Sequence, residues 1–209
     1  MTKVKICGIT NLEDARHAVE CGADMIGFNF YEPSPRYIPP QAAREIVEKL
    51  TAEVWKVGVF VNMEEYRIDE FIDLIGLSAV QLHGDEDAAF VRDLRAYTAA
   101  PIIKAFRVAA TQQIPDIPGD GADYVLLDAY SNSLYGGSGI ALDWDVFPSQ
   151  HTLPTPIFLA GGLNPDNVGA AIRTVRPYAV DVASGVESSP GKKDPEKVAA
   201  FIKAAKEAI

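Results

Sequence analysis

The chain has little cysteine, little histidine and a deficit of positive charge. Its two cysteines, Cys7 and Cys21, are too few for a disulfide framework and lack metal-ligand spacing. The three histidines, His17, His83 and His151, are scattered along the sequence, which argues against a structural zinc site. Lys and Arg number 19 against 29 Asp and Glu, leaving a net charge of −10. A nucleic-acid or anionic-membrane surface needs clustered Lys and Arg, so neither partner is expected. No apolar run approaches the roughly 18 residues of a membrane span, and the opening MTKVKICGIT lacks the apolar stretch of a signal peptide. The expectation is a soluble, globular, cytoplasmic protein. A small anionic ligand stays possible, because backbone N–H groups bind phosphate without a basic surface.

Apolar residues make up 48% of the chain, and their arrangement is repetitive. Short β-rich runs fall at Val4–Cys7, Met25–Phe30, Val54–Val61, Ala79–His83, Pro101–Phe106, Tyr124–Asp128, Pro156–Ala160 and Ala179–Ala183. Helix-prone stretches lie between them at Leu12–Cys21, Gln41–Leu50, Glu64–Leu74, Asp85–Tyr97, Asn164–Val175 and Asp194–Ala208. Strands alternating with helices predict βαβ units and a parallel sheet. A doubly wound sheet usually has five or six strands, whereas a (β/α)8 barrel has eight and reaches down to about 200 residues. Eight runs in 209 residues fit a lean α/β protein, a (β/α)8 TIM barrel forming one domain over 1–209. The fifth unit is the weakest, since two prolines in 108–120 leave room for only a short helix. The run around Trp144 and Phe147 is also short. Capping boxes are expected at Thr10–Glu13 and Ser184–Glu187, and Asn164-Pro165 predicts a helix start.

Such a barrel collects its chemistry at the C-terminal ends of its strands. In strand 1 a period of two puts Lys5 and Cys7 on the inward face, with Cys7 at the catalytic end. Lys5 at about 7 Å would favour the thiolate; a small core residue is the competing role for Cys7. Asp128 closes strand 6, and the Gly-rich loop behind it, 129–142, reads as a lid or as slack. Gly161-Gly162 after strand 7 and Ser184-Gly185 after strand 8 fit the phosphate cradle that recurs in these barrels. Asp181 faces inward and needs a ligand or a partner such as Lys5 or Lys104. Arg36, between prolines, can grip a carboxylate in two parallel hydrogen bonds. Gln81 and His83 share a face of strand 4, where they orient a substrate or support the structure. A thiol and a carboxyl across one site suit cofactor-free proton transfer, as in an isomerase or epimerase of a sugar phosphate. No P-loop or dinucleotide fingerprint is present, so neither cofactor nor metal is expected.

VKICGIT at 4–10, DMIGFNF at 24–30, SPRYI at 34–38, VGVFVN at 57–62, VQLHG at 80–84, LLDA at 126–129, LAGGLNPDNV at 159–168 and DVASGVE at 181–187 resemble the phosphoribosylanthranilate isomerases of tryptophan biosynthesis. The resemblance runs in order along nearly the whole chain. It implies Cys7 as general base and Asp128 as general acid of an Amadori rearrangement. It further implies Arg36 on the anthranilate carboxylate and Asp181 on the ribose-derived hydroxyls. The phosphate would sit on N–H groups of Gly161, Gly162, Ser184 and Gly185. The alternatives are a non-catalytic phosphate-binding barrel or another sugar-phosphate enzyme. An indoleglycerol-phosphate-synthase-like site would need an inward Lys and Glu, of which Lys104 could supply one. Oligomeric state is not legible in the sequence.

Overall fold

The computed structural model describes residues 1–108, 121–129 and 155–208. Eight parallel strands close into a barrel in sequence order: β1 (Lys3–Cys7), β2 (Met25–Asn29), β3 (Trp55–Phe60), β4 (Ala79–Leu82), β5 (Ile102–Val108), β6 (Tyr124–Ala129), β7 (Ile157–Leu159) and β8 (Ala179–Val182). Six α-helices are described: α1 (Leu12–Glu20), α2 (Pro40–Val47), α3 (Glu65–Ile75), α4 (Ala88–Tyr97), α5 (Val168–Val175) and α6 (Pro195–Lys206). The predicted lid, the weak fifth helical segment and the run around Trp144 and Phe147 lie outside the described residues.

Strand alternation divides the apolar residues into two cores. Val4, Ile6, Ile26, Phe28, Val80, Leu82, Leu127 and Val180 point outward and pack with helix residues such as Ile68, Leu94, Ile172 and Phe201. Met25, Val57, Ala79, Ile103, Leu126 and Phe158 form a second cluster inside the barrel. Burying one side chain the size of Phe28 or Phe158 contributes about 1.5–3 kcal/mol, so the two cores carry the fold. The inner apolar cluster closes the barrel, and the buried polar residues Lys5, Gln81, His83, Asp128 and Asp181 stand on the same inward face. This polarity is the first structural mark of a site.

Three local expectations are corrected. The cap of α1 is Asn11, whose Oδ1 accepts from the Asp14 amide at 2.9 Å, while Thr10 donates its hydroxyl to the Gly191 carbonyl. Asn164 accepts from the amides of Asp166 and Asn167 and so caps a turn; α5 starts later, at Val168. After β8 comes a single 3-10 turn, Ser184–Val186, with no capping box. Glu187 instead opens a small antiparallel hairpin, β9 (Glu187–Ser189) and β10 (Lys192–Lys193), that the strand pattern does not announce. Its turn carries Gly191 at φ +80, a left-handed conformation that suits glycine.

Candidate active site

Cys7, Arg36, Gln81, His83, Asp128, Gly161, Gly162, Asp181 and Ser184 line one cavity at the C-terminal end of the barrel. Of the candidate catalytic and substrate-binding residues, Gly185 is the one that does not line it. A Cβ on Gly185 would overlap the Leu163 carbonyl oxygen, so its hydrogen lets the loop after β8 rest on the loop after β7. Gly161 and Gly162 take φ of +87 and +63, which gives the β7 loop its tight turn.

The wall around Cys7 is the most buried part. Lys5 is completely buried, and its Nζ donates to Asp181 Oδ1 at 3.0 Å and to Gln81 Oε1 at 2.8 Å. The ion-pair reading of Asp181 is therefore the observed one, with Lys5 as its partner. Lys104 points away from the interior: its Nζ donates to Glu86 Oε2 at 2.7 Å and to the Gly84 carbonyl. It cannot supply half of an inward Lys–Glu site. Gly27 makes room for the cluster, since a Cβ there would stand 2.8 Å from Cys7 Sγ and 3.2 Å from Lys5 Cε.

Lys5 does not lower the thiol overall. Burial pushes the Cys7 thiol above its ordinary value; Lys5 and, more weakly, Lys193 work to lower it, while Asp181 adds to the rise. For Lys5, burial favours the neutral amine, but the Asp181 and Cys7 charges outweigh it and raise the ammonium above its ordinary value. Lys5 is thus a fixed cation beside the thiol that limits the rise without reversing it.

On the opposite wall, Gln81 Nε2 and His83 Nδ1 are 2.8 Å apart. His83 Nε2 lies 3.3 Å from Asp128 Oδ2, at the end of β6. A third cluster holds Arg36. Its Nε and Nη2 donate to Glu187 Oε1 and Oε2 at 2.8 and 2.7 Å, a bidentate pair. Lys193 donates to the same carboxylate at 2.9 Å and to the Ala183 carbonyl at 3.2 Å. Burial opposes ionisation of Glu187, yet Arg36 and Lys193 bring its carboxyl below the ordinary value.

Sequence reasoning missed Glu187 and Lys193 as organisers of the site. The Pro190-Gly191 turn signal between them could have found the hairpin that returns Lys193 to Glu187. Arg36 was expected to face a ligand carboxylate. The structure gives one edge of its guanidinium to Glu187, so only its other N–H groups remain for that role.

The comparisons with known proteins agree along the chain. Residues 4–204 match the family model described as N-(5'phosphoribosyl)anthranilate (PRA) isomerase. A curated relative from Citrifermentans bemidjiense, named N-(5'-phosphoribosyl)anthranilate isomerase, is 50% identical, covering 99% of this chain and 98% of its own. The crystal structure of the phosphoribosyl anthranilate isomerase from Thermotoga maritima is 42% identical, covers 99% of both chains and superposes with a TM-score of 0.83. The Thermus thermophilus enzyme is 36% identical over 98% of both chains, with a TM-score of 0.86. A further structure, 41% identical over 99% of both chains with a TM-score of 0.79, is of the isomerase in complex with reduced 1-(o-carboxyphenylamino)-1-deoxyribulose 5-phosphate. On its sequence and its barrel alike, the chain belongs to the N-(5'-phosphoribosyl)anthranilate isomerase family.

Proposed function

We propose that the protein converts N-(5-phosphoribosyl)anthranilate into 1-(2-carboxyphenylamino)-1-deoxyribulose 5-phosphate, an Amadori rearrangement in tryptophan biosynthesis. The observation that carries the reading is the placement of Cys7 on β1 and Asp128 on β6, both inward, both at strand C-termini and both lining one cavity. Family membership supports it, as does the related structure holding a reduced form of the product.

Asp128, protonated, gives its proton to the furanose ring oxygen as the C1′–O bond breaks. The anilino nitrogen lone pair forms the C1′=N bond of a Schiff base. Cys7 as thiolate then takes the C2′ proton, and the electron pair returns to nitrogen through a C1′=C2′ double bond. The resulting enolamine gains a proton at C1′ and loses the one on its C2′ hydroxyl, giving the ketone. A positioned acid and base each supply about 10²–10⁴-fold. Arg36, fixed by Glu187, offers its remaining N–H groups to the anthranilate carboxylate. Asp181 accepts from the ribose-derived hydroxyls. Amides of Gly161, Gly162 and Ser184 hold the phosphate, with Gly185 packing their two loops together, so a chain of net charge −10 needs only a local anion site. The cytoplasm suits this chemistry, because a free thiol stays reduced there.

Anthranilate fluorescence reports the reaction directly. Wild type should turn over, and Cys7→Ala and Asp128→Asn should each lose about 10²-fold or more. A folded but inactive wild type overturns the reaction, and one that binds product without turnover supports a non-catalytic phosphate-binding barrel. A fully active Cys7→Ala removes only the base.

A further inference from the structure

The buried polar contacts between the two walls form one continuous chain: Asp181, Lys5, Gln81, His83, Asp128. Its sense can be read from a single residue. A Lys ammonium only donates hydrogen bonds, so the Gln81 atom 2.8 Å from Lys5 Nζ must be the amide oxygen. The amide NH2 must then face His83 Nδ1, at 2.8 Å. An NH2 group also only donates, so Nδ1 must be the bare, accepting nitrogen. The ring proton is therefore on Nε2. That atom is buried, makes no hydrogen bond among the described residues and lies 3.3 Å from Asp128 Oδ2.

We infer that Gln81, oriented by Lys5, is a positioning residue that holds His83 as the neutral Nε2–H tautomer, so that Asp128 meets a neutral donor and never an imidazolium. A second ring proton would put N–H against N–H at Nδ1, and turning the Gln81 amide would only move that conflict to Lys5. The consequence rests on the proposed role of Asp128 as acid. An imidazolium at 3.3 Å would favour the carboxylate and remove the proton the reaction needs. A neutral N–H puts no cation beside Asp128, and it can donate to the carboxylate that forms as the proton leaves.

The charged groups around His83 pull in both directions, and the hydrogen-bond chain decides among them. Asp128 from β6 and Asp181 from β8 favour a cationic ring, as would a Cys7 thiolate. Lys5 from β1 and Arg36 from the loop after β2 oppose it. Arg107 of β5 has its Nη2 3.7 Å from Asp85 Oδ1. Val59 of β3 and Val61 just after it, both apolar, line the same cavity.

Imidazole 15N spectra test this directly. With three histidines, His83→Gln assigns the His83 signals by their loss. Wild type should show a bare Nδ1 and a protonated Nε2 at pH 8 and again at pH 6. Gln81→Glu provides an acceptor at Nδ1, and Gln81→Met removes the donor; in both, His83 should carry two protons at pH 6. For Gln81→Glu, kcat at pH 6 should fall about 10-fold with KM nearly unchanged. An Nδ1–H or doubly protonated ring in wild type overturns the inference, and so does a His83 that stays neutral in both variants. The spectra need no turnover. A neutral His83 in a wild type without isomerase activity therefore supports the lock while removing the proposed reaction.

Discussion

Lys5 and Asp181 face one another in register across the β1–β8 pairing, and their charges meet at 3.0 Å inside the barrel wall. An ion pair this buried contributes little net stability against apolar residues of the same shape. Its significance lies in what the ammonium touches next. Lys5 restrains the rise of the Cys7 thiol and orients Gln81.

Lys5→Met should therefore shift the activity profile rather than abolish it. The folded thiol already lies above its ordinary value, because burial outweighs Lys5. Removing the ammonium lets it rise further, so at pH 7 the thiolate fraction falls and kcat/KM with it, by about 10-fold. The ascending limb of kcat/KM, which reports the ionisation of the thiol, should move to higher pH, and activity should recover there. An unmoved limb would show that Lys5 does not act on the base.

Glu187→Gln should destabilise the fold as well as the site. Buried Lys193 and half-buried Arg36 would lose a shared carboxylate, which costs about 3 kcal/mol. The effect has a definite pH dependence. Glu187 is lowered in the folded state, so its contribution is fully present above the ordinary carboxyl value of 4.5 and is lost as pH falls through the folded value. Urea unfolding at pH 7 should show the full gap between wild type and variant. At pH 3.5 the gap should narrow, and a gap equal at both values would contradict the charge pairing.

Two glycines should respond oppositely to the same added methyl. Gly185→Ala drives a Cβ into the Leu163 carbonyl, which must separate the β7 and β8 loops. Overpacking of this kind costs about 1–3 kcal/mol, and KM for a phosphorylated substrate should rise about 10-fold or more. Gly169→Ala lies within α5, where the nearest atom is the flexible end of Arg173 at 3.3 Å. There the helix should gain about 0.5–1 kcal/mol with catalysis unchanged. Thermal melts and Michaelis parameters for the pair decide it.

Most of the barrel was legible because its two signals are local. Period-two alternation sorted Lys5, Cys7 and Asp128 onto the inward face, and short apolar runs marked the strands. Cap positions were less legible, since Thr10, Asn11 and Asn164 are all competent caps and packing chose among them. The partners of the site residues were legible only in part: Lys5 was one of two candidates for Asp181, and nothing pointed Arg36 to Glu187. Arg36 meets Glu187 from 151 positions away, and Lys5 meets Asp181 from 176. Only closure of the barrel brings them together. The opposing effects on Cys7 were hidden for the same reason: spacing shows the nearby Lys5 but not the burial that outweighs it.

Gly27→Ala tests how finely the base is placed. Gly27 sits beside Cys7 in the β1–β2 register, and its missing side chain leaves the space that Cys7 Sγ and Lys5 Cε fill. A Cβ there would stand 2.8 Å from the sulfur and 3.1 Å from Cys7 Cα, with buried neighbours on both faces of the strand. Either β1 shifts outward or the thiol turns away, and a displacement near 1 Å at a reacting group can lower the rate by about 10²-fold. The loss should fall on kcat, because the phosphate loops follow β7 and β8, away from β2. The alkylation rate of Cys7 at fixed pH should change with it, since the sulfur would leave the position that Lys5 holds. If kcat stayed within about two-fold of wild type, tight positioning of Cys7 by β2 would not be part of the mechanism.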